Sequence, residues 1–369
     1  MVNFDGIGPE KILEVYNAKV GMHGFVVLDS TALGPAKGGI RMTPDVDMDE
    51  VARLARTMTL KCSLAGLPFG GGKSGIIANP KELTEKKKKE IIEAFADALK
   101  EISPKLYVAA PDINTGEKEM AWYAKRNGNK SVTGKPKSLG GLPHELGSTG
   151  FGVYQATKVA VEYMNKKLKN MTFAVEGFGN VGWFVAKFLT KDGARLVAVS
   201  DSRGVLHNKN GIDFEKLAKI KQDKGSVIDY KQGEILKGQD ILRVKADILI
   251  TAAVPDLIKI SDVDDLKFKL IVEGSNIPTT PEVEEYMHKK GILVVPDFVA
   301  NAGGVISSYV EYIKGNEKKM FKMVEEKITR NTRIVLNIAK KQKIKPRDAA
   351  MRLAQERVLK KCKVCNVQI

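Results

Sequence analysis

Apolar and polar positions along this chain follow two periods, one helical and one extended. At residues 47–64 the apolar residues Val51, Leu54, Ala55, Met58 and Cys62 recur at three- and four-residue intervals. That spacing predicts a helix with one buried face, and Asp47 or Asp49 stands where its first turn needs a cap. Thr84 can cap a second helix running to about Ile102, and apolar runs at 21–29 and 106–109 predict strands. The glycine-rich stretch at 34–40 lies between the first strand and the first helix and carries no strand signal. From Gly150 the pattern becomes regular. A helix to about Lys166 is followed by a strand at 171–176, a loop at 177–182, a helix to Lys191 and a strand at 194–200. Further apolar runs follow at 247–250, 270–272 and 292–295. Strands alternating with helices predict a parallel sheet covered on both faces. After Ala302 the pattern is mostly helical, with a break near Lys345 and Pro346. The expected fold is therefore α/β with two domains, the boundary falling in the Gly-, Pro- and Ser-rich stretch at 140–149.

Composition agrees with a folded chain: 369 residues, 43% hydrophobic and 28% charged, leave room for about two domains. No apolar run approaches the ~18 residues of a membrane span, and the N-terminus lacks a basic stretch leading into an apolar one. The expectation is a cytoplasmic protein with no membrane partner. Three cysteines and four histidines are too few for a disulfide framework or a zinc cluster, so no metal is expected. Cys362 and Cys365, without a second pair, read as surface thiols. The net charge of +16 changes the picture more, because it suggests an anionic partner. From Glu311 onward there are 17 Lys and Arg against 6 Asp and Glu, and the rest is nearly balanced. No nucleic-acid-binding motif accompanies that charge, so a nucleic-acid-binding protein is the lesser alternative and no nucleic acid partner is expected.

Gly177, Phe178, Gly179, Asn180, Val181 and Gly182 spell GxGxxG directly after a predicted strand and at the start of a predicted helix. The first glycine permits the tight turn, the second lets backbone approach a pyrophosphate, and the third allows close helix packing. Asp201, at the end of the next strand, stands where an acid accepts hydrogen bonds from an adenosine ribose. It would repel a 2′-phosphate, whereas Ser202 and Arg203 could receive one, so NAD or NADP is expected with a slight preference for NAD. The later strands end in small or amide residues, among them Ala252, Ala253, Asn276 and Asn301, and ligands bind beyond such strand ends.

Lys37 and Lys73 lie in glycine-rich segments, and Lys61 near the end of its helix. The segment around Lys73 misses the P-loop spacing by one residue. A lysine surrounded by other ammonium groups and partly desolvated loses its proton more easily and can act as a base. Asp112, in a proline-stiffened turn after the strand at 106–109, can then carry protons to and from an amine.

The stretches GPAKGGIR (34–41), LKCSLAGLPFGGGKSG (60–75), AAPDINT (109–115), GSTGFG (147–152), VEGFGNVG (175–182), VSDSRG (199–204), EGSNIPTTPE (273–282) and NAGGVISSYVEY (301–312) resemble the glutamate, leucine, phenylalanine and valine dehydrogenase superfamily over nearly the whole chain. The resemblance implies an N-terminal substrate-binding and oligomerisation domain at 1–146 and a Rossmann-like NAD(P) domain at 147–334, separated by an active-site crevice. The C-terminal helix, about 335–369, would return to the first domain. It implies that Lys73 activates water, Asp112 shuttles protons, Lys61 holds the substrate α-carboxylate, and Thr149, Asn276 and Asn301 contact cofactor. Lys37 and Ser308 would hold a side-chain carboxylate where branched-chain enzymes carry apolar residues, which implies L-glutamate, 2-oxoglutarate and ammonium as substrates. Met42, found in the leucine enzymes, and a short N-terminus keep a leucine, valine or phenylalanine dehydrogenase as the alternative. A homo-oligomer, hexamer or octamer, is expected.

Overall fold

A computed structural model describes residues 2–365. The chain divides into two compact units: unit 1 holds the residues up to Leu146, Val305–Met320 and the stretch from Met351, and unit 2 holds Gly147–Gly304 and Phe321–Ala350.

Unit 1 is built on five strands, β1 (Lys11–Asn17), β2 (Met22–Ser30), β3 (Ala36–Thr43), β4 (Gly70–Ile77) and β5 (Tyr107–Pro111), in the order β1-β2-β4-β3-β5. β3 runs parallel to both β4 and β5, while β2 is antiparallel to β1 and β4. Helix α1 (Met48–Leu64) covers one face; α2 (Glu85–Ala98) and α3 (Glu117–Asn127) cover the other. In β2, Phe25 and Val27 face α1, whereas Val26 and Leu28 join Phe95 and Tyr123 on the opposite side. Side chains alternate across a strand, so a sheet covered on both faces needs the continuous apolar run seen there. Asp47 accepts from the Glu50 N–H and Thr84 from the Lys87 N–H, fixing the starts of α1 and α2.

Two glycine-rich segments where no strand was expected are strands, β3 and β4. Gly38, Gly70 and Gly71 carry no strand-type side chain because neighbouring backbone leaves no space for one. A Cβ on Gly71 would lie 2.1 Å from the Thr59 nitrogen of α1. The edge strand β1 also went unpredicted, its apolar positions being only half-buried.

Unit 2 contains α4 (Ser148–Tyr163), α5 (Asn180–Lys191), α6 (Phe214–Lys224), α7 (Pro281–Lys289) and the short α8 (Asp297–Ala300). Its strands are β6 (Thr172–Glu176), β7 (Arg195–Asp201), β8 (Gly204–His207), β9 (Glu234–Leu236), β10 (Ile248–Thr251), β11 (Leu270–Glu273) and β12 (Leu293–Val295), ordered β12-β11-β10-β6-β7-β8-β9. Five are parallel, but β8 pairs antiparallel with β7 and β9 antiparallel with β8, so the expectation of a parallel sheet is corrected at this edge. The cause is the tight turn at Ser202 and Arg203, which pairs Asp201 with Gly204 and leaves no space for a crossover helix. Strand order reverses at β6, between β7 and β10, the place where doubly wound sheets open a ligand crevice.

Three helices complete the chain: α9 (Gly303–Tyr312), α10 (Glu317–Gln342) and α11 (Pro346–Leu359). Beyond α11, Cys362 and Cys365 form a disulfide rather than the two thiols expected, the turn of two intervening residues bringing their Cα atoms to 5.6 Å. Among the described residues no helix is long and apolar enough to cross a membrane, and no group of His, Cys, Asp and Glu could hold a metal.

Candidate active site

Lys73 on β4 and Asp112 after β5 meet across β3, the strand between them. The residue of β3 opposite Lys73 is Gly39, and a Cβ there would come within 2.7 Å of the Asp112 Cβ. Absence of a side chain at Gly39 thus lets the Lys73 ammonium donate to Asp112 Oδ2. Asp112 Oδ1 accepts from Arg41 Nε at 3.0 Å and from the Ile113 N–H at 2.7 Å. Arg41 in turn donates to Glu50 of α1. The Asp112 amide donates to Thr115 Oγ1, whose hydroxyl donates to the Ile40 carbonyl, so the turn bearing the carboxylate is fixed to β3.

Burial pushes the Lys73 ammonium below the usual lysine range even against the pull of Asp112. For Asp112 burial is the largest influence and acts against ionisation, but Lys73, the Ile113 N–H and Arg41 together hold the carboxyl below its ordinary value. The pair is a short proton path between an amine inclined to release a proton and an ionised acid. Ser74 hydrogen-bonds at 2.7 Å to the hydroxyl of the buried Tyr107.

Lys37 is 1% exposed, and its ammonium donates to the Ala109 carbonyl at 2.9 Å. It lies on the same face of the sheet as Lys73, two residues before Gly39. Desolvation drives its pKa down to about 7. Lys61 occupies the last turn of α1 beside Cys62, a thiol that burial pushes up to about 12. Ser308 stands half-buried on α9. The structure therefore gathers Lys37, Lys73 and Asp112 on adjacent strands, while Lys61 and Ser308 come from separate helices of unit 1.

In unit 2 the GxGxxG turn matches a pyrophosphate cradle. Gly177 adopts φ +91°, and a Cβ on Gly182 would lie 1.8 Å from the Gly177 oxygen, whereas a Cβ on Gly179 would meet nothing within 4 Å. Two glycines are needed by the protein itself; the middle one keeps open space in front of the N-terminus of α5. Phe178 is buried, Asn180 and Val181 open α5, and Thr149 lies in the first turn of α4. The Ser200 hydroxyl accepts from the Gly177 N–H at 3.1 Å.

Asp201 does not face open solvent as a waiting acceptor. Its oxygens accept from Lys221 Nζ (2.7 Å), Ser226 Oγ (2.9 Å) and the N–H groups of Val227 (2.9 Å) and Arg203 (2.9 Å). Those donors take up the roughly four lone-pair sites of a carboxylate. Ser202 and Arg203 are exposed beside it.

Ala252 and Ala253 follow β10, and their N–H groups both donate at 3.0 Å to Glu176, the last residue of β6. Glu176 was missed by sequence reading; the signal was a carboxylate ending an otherwise apolar strand just before GxGxxG. Asn301 donates through Nδ2 to Asn276 Oδ1 at 3.0 Å, while its buried Oδ1 has no hydrogen-bond partner among the described residues. A buried acceptor of this kind fits the N–H of a carboxamide, so the residues present suit a nicotinamide dinucleotide. Arg347 was also missed. It bridges Glu273, Glu284 and Asp297 behind this loop, and Asp297 accepts from the Ile277 N–H at 3.1 Å.

Comparison with known proteins finds one family along the chain. Residues 140–364 match the family described as Glutamate/Leucine/Phenylalanine/Valine dehydrogenase, and residues 9–128 match the Glu/Leu/Phe/Val dehydrogenase dimerisation domain. The chain is 40% identical to a glutamate dehydrogenase of Aeropyrum pernix, covering 91% of this chain and 84% of that one. It is 38% identical to an NADP-specific glutamate dehydrogenase of Saccharolobus shibatae, covering 90% and 83%. Its structure resembles the hetero-hexameric glutamate dehydrogenase of Thermus thermophilus in its leucine-bound form, with a TM-score of 0.85 and 27% identity over 98% of this chain and 91% of that one. The chain belongs to the Glu/Leu/Phe/Val dehydrogenase family, and it is an NAD(P)-dependent amino-acid dehydrogenase.

Proposed function

We propose that the protein catalyses the reversible oxidative deamination of L-glutamate to 2-oxoglutarate and ammonia. The observation that carries this reading is Lys37, a fully buried ammonium to which no carboxylate is hydrogen-bonded among the described residues. Burying a charge with no carboxylate hydrogen-bonded to it is costly, and a substrate side-chain carboxylate lowers that cost, whereas an apolar side chain would not. Met42, the residue that kept a branched-chain enzyme open, lies in the core beneath α2 and α3 and bears on packing.

In this reading Lys61 holds the α-carboxylate, and Lys37 with Ser308 holds the side-chain carboxylate, so that the Cα hydrogen is presented for transfer. The dinucleotide, when bound, supplies the hydride acceptor, with Gly177, Gly179 and Gly182 cradling it and Thr149, Asn276 and Asn301 orienting its nicotinamide end. Lys73 takes a proton from water, which attacks the substrate iminium carbon. Asp112 accepts that proton from Lys73 and passes it to the carbinolamine nitrogen, and as the C–N bond breaks and ammonia leaves, Lys73, neutral again, takes the hydroxyl proton while the carbonyl forms.

The slight preference for NAD rests on Asp201 being open to a ribose. With its carboxylate taken by Lys221, Ser226, Val227 and Arg203, a 2′-phosphate beside Ser202 and Arg203 meets less repulsion, which favours use of NADP as well. A homo-oligomer is proposed with the activity, supported by the dimerisation-domain match over residues 9–128.

The test is turnover of L-glutamate, L-leucine, L-valine and L-phenylalanine with each dinucleotide, followed by reduced-nicotinamide absorbance. Glutamate should exceed the others by at least about tenfold in kcat/KM. Lys73→Ala should lose about a hundredfold or more in kcat, the usual scale of a lost general base. Better turnover of leucine, or near-normal turnover by Lys73→Ala, sinks the reading.

A further inference from the structure

Helix α9 is attached to unit 1 on two sides, and the attachments flank Lys37. On one side Phe69, the residue before β4, packs edge-on against Tyr309 and Tyr312, with ring centroids 5.8 and 5.1 Å apart. On the other side the Glu311 carboxylate accepts the N–H groups of Gly134 (3.0 Å), Lys135 (3.4 Å) and Leu142 (3.1 Å) together with the Lys135 ammonium. This second segment hangs from the end of β5. The Thr133 N–H donates to the Ala109 carbonyl at 3.0 Å, and Lys135 Nζ donates to the Val132 carbonyl at 2.9 Å.

β3 runs between β4 and β5, and Lys37 on β3 donates to that same Ala109 carbonyl. The two anchors of α9 therefore reach the strands on either side of Lys37. With ~3.6 residues per turn, successive residues are ~100° apart around the helix, which sets Ser308 on the arc between Glu311 and Tyr312. The two anchors together fix the rotation of Ser308 relative to Lys37.

The side chains of Glu311 and Lys135 are 2% and 5% exposed. A well-packed apolar pair would hold a helix there as firmly and at less desolvation cost. What the carboxylate adds is direction, because it takes donors from three backbone points at fixed angles.

We propose that Glu311, paired with Lys135, is a positioning residue that sets Ser308 against Lys37 and thereby determines preference for a substrate with a second carboxylate. This rests on the reading of Lys37 and Ser308 as the holders of that carboxylate.

The experiment compares kcat/KM for L-glutamate with that for L-norvaline, the five-carbon amino acid lacking the second carboxylate, in the full-length enzyme. In Glu311→Gln an amide N–H faces the Lys135 ammonium, donor against donor. The glutamate-to-norvaline ratio should fall by at least about tenfold while kcat for norvaline is kept. Lys135→Gln combined with Glu311→Gln restores a donor and an acceptor and should recover the ratio. Where Glu311→Gln does not fold, Glu311→Asp, which keeps the charge but withdraws it, should lower the ratio too. An unchanged ratio in a folded single variant overturns the proposal, as does a double variant that regains thermal stability without regaining the ratio. A wild-type enzyme with no preference for glutamate overturns the proposed function and this inference together; wild-type preference with an indifferent Glu311 overturns this inference alone.

Discussion

At the scale of single residues, the ammonium of Lys37 is the most informative group. Burial brings its pKa to about 7 from an ordinary value of 10.5, so the free enzyme loses this charge as pH rises through neutrality. A carboxylate ligand needs the charge. The KM for 2-oxoglutarate should therefore be flat below pH 7 and rise above it, approaching about tenfold per pH unit, since one proton is then taken up on binding. Initial rates in the reductive direction between pH 6 and 9 check this, and Lys37→Gln should give a high KM without that slope. A flat wild-type profile would remove Lys37 from the carboxylate site. Lys73 and Asp112 were legible as candidates because each sits in a short motif of distinct chemistry. Their contact spans 39 positions of sequence and was not legible without the strand between them.

At the scale of elements, sequence reading located α1, α2 and most of unit 2, where apolar periodicity and caps carry the signal. It failed on β3 and β4. Strand signals come from branched and aromatic side chains packing on a pleated surface, and in these two strands glycines replace them because α1 and a neighbouring turn press directly on the backbone. The glycine at Gly39 is the one with a chemical consequence. Gly39→Ala places a methyl group where the Asp112 side chain now lies, and should part Lys73 from Asp112. The expected result is a folded enzyme whose kcat falls by about a hundredfold, the scale of a disrupted acid–base pair, with cofactor binding in unit 2 unaltered. Circular dichroism, dinucleotide titration and kcat separate these outcomes, and near-normal kcat would contradict the geometry. The Glu311 and Arg347 networks were invisible for another reason. Their partners lie up to 177 positions away, and nothing local marks a buried glutamate as the partner of a distant loop.

At the scale of the whole molecule, the two units should answer pH in opposite senses. Glu273 in unit 2 is raised to about 8 from 4.5, mainly by burial, so the folded state binds more protons than the unfolded one across that interval. Stability from this group is complete below about 4.5 and is lost as pH rises through 8. Lys37 in unit 1 is lowered instead, mainly by burial, so there the unfolded state binds more protons between 7 and 10.5, and stability rises with pH. The chain has two tryptophans, Trp122 in unit 1 and Trp183 in unit 2. Urea titrations of Trp122→Phe and Trp183→Phe, read by the remaining indole, should show the Trp183 midpoint falling from pH 5.5 to 8. The Trp122 midpoint should rise from pH 7.5 to 9.5. Midpoints that move together would show that other groups dominate.

The division of the chain has an evolutionary and practical consequence. Unit 1 is assembled from three separate stretches, with junctions at 146/147, 304/305, 320/321 and 350/351, and the last three fall inside α9, α10 and α11. Neither half can be lent to another protein as a single gene segment. A fragment ending at residue 146 would keep Lys37, Lys73 and Asp112 yet lack α9, and with it Ser308, Glu311 and the aromatic partners of Phe69. Recombination that exchanges cofactor modules between dehydrogenases must here splice at four points together, so new cofactor use is more readily reached by substitution around Asp201, Ser202 and Arg203 than by domain shuffling.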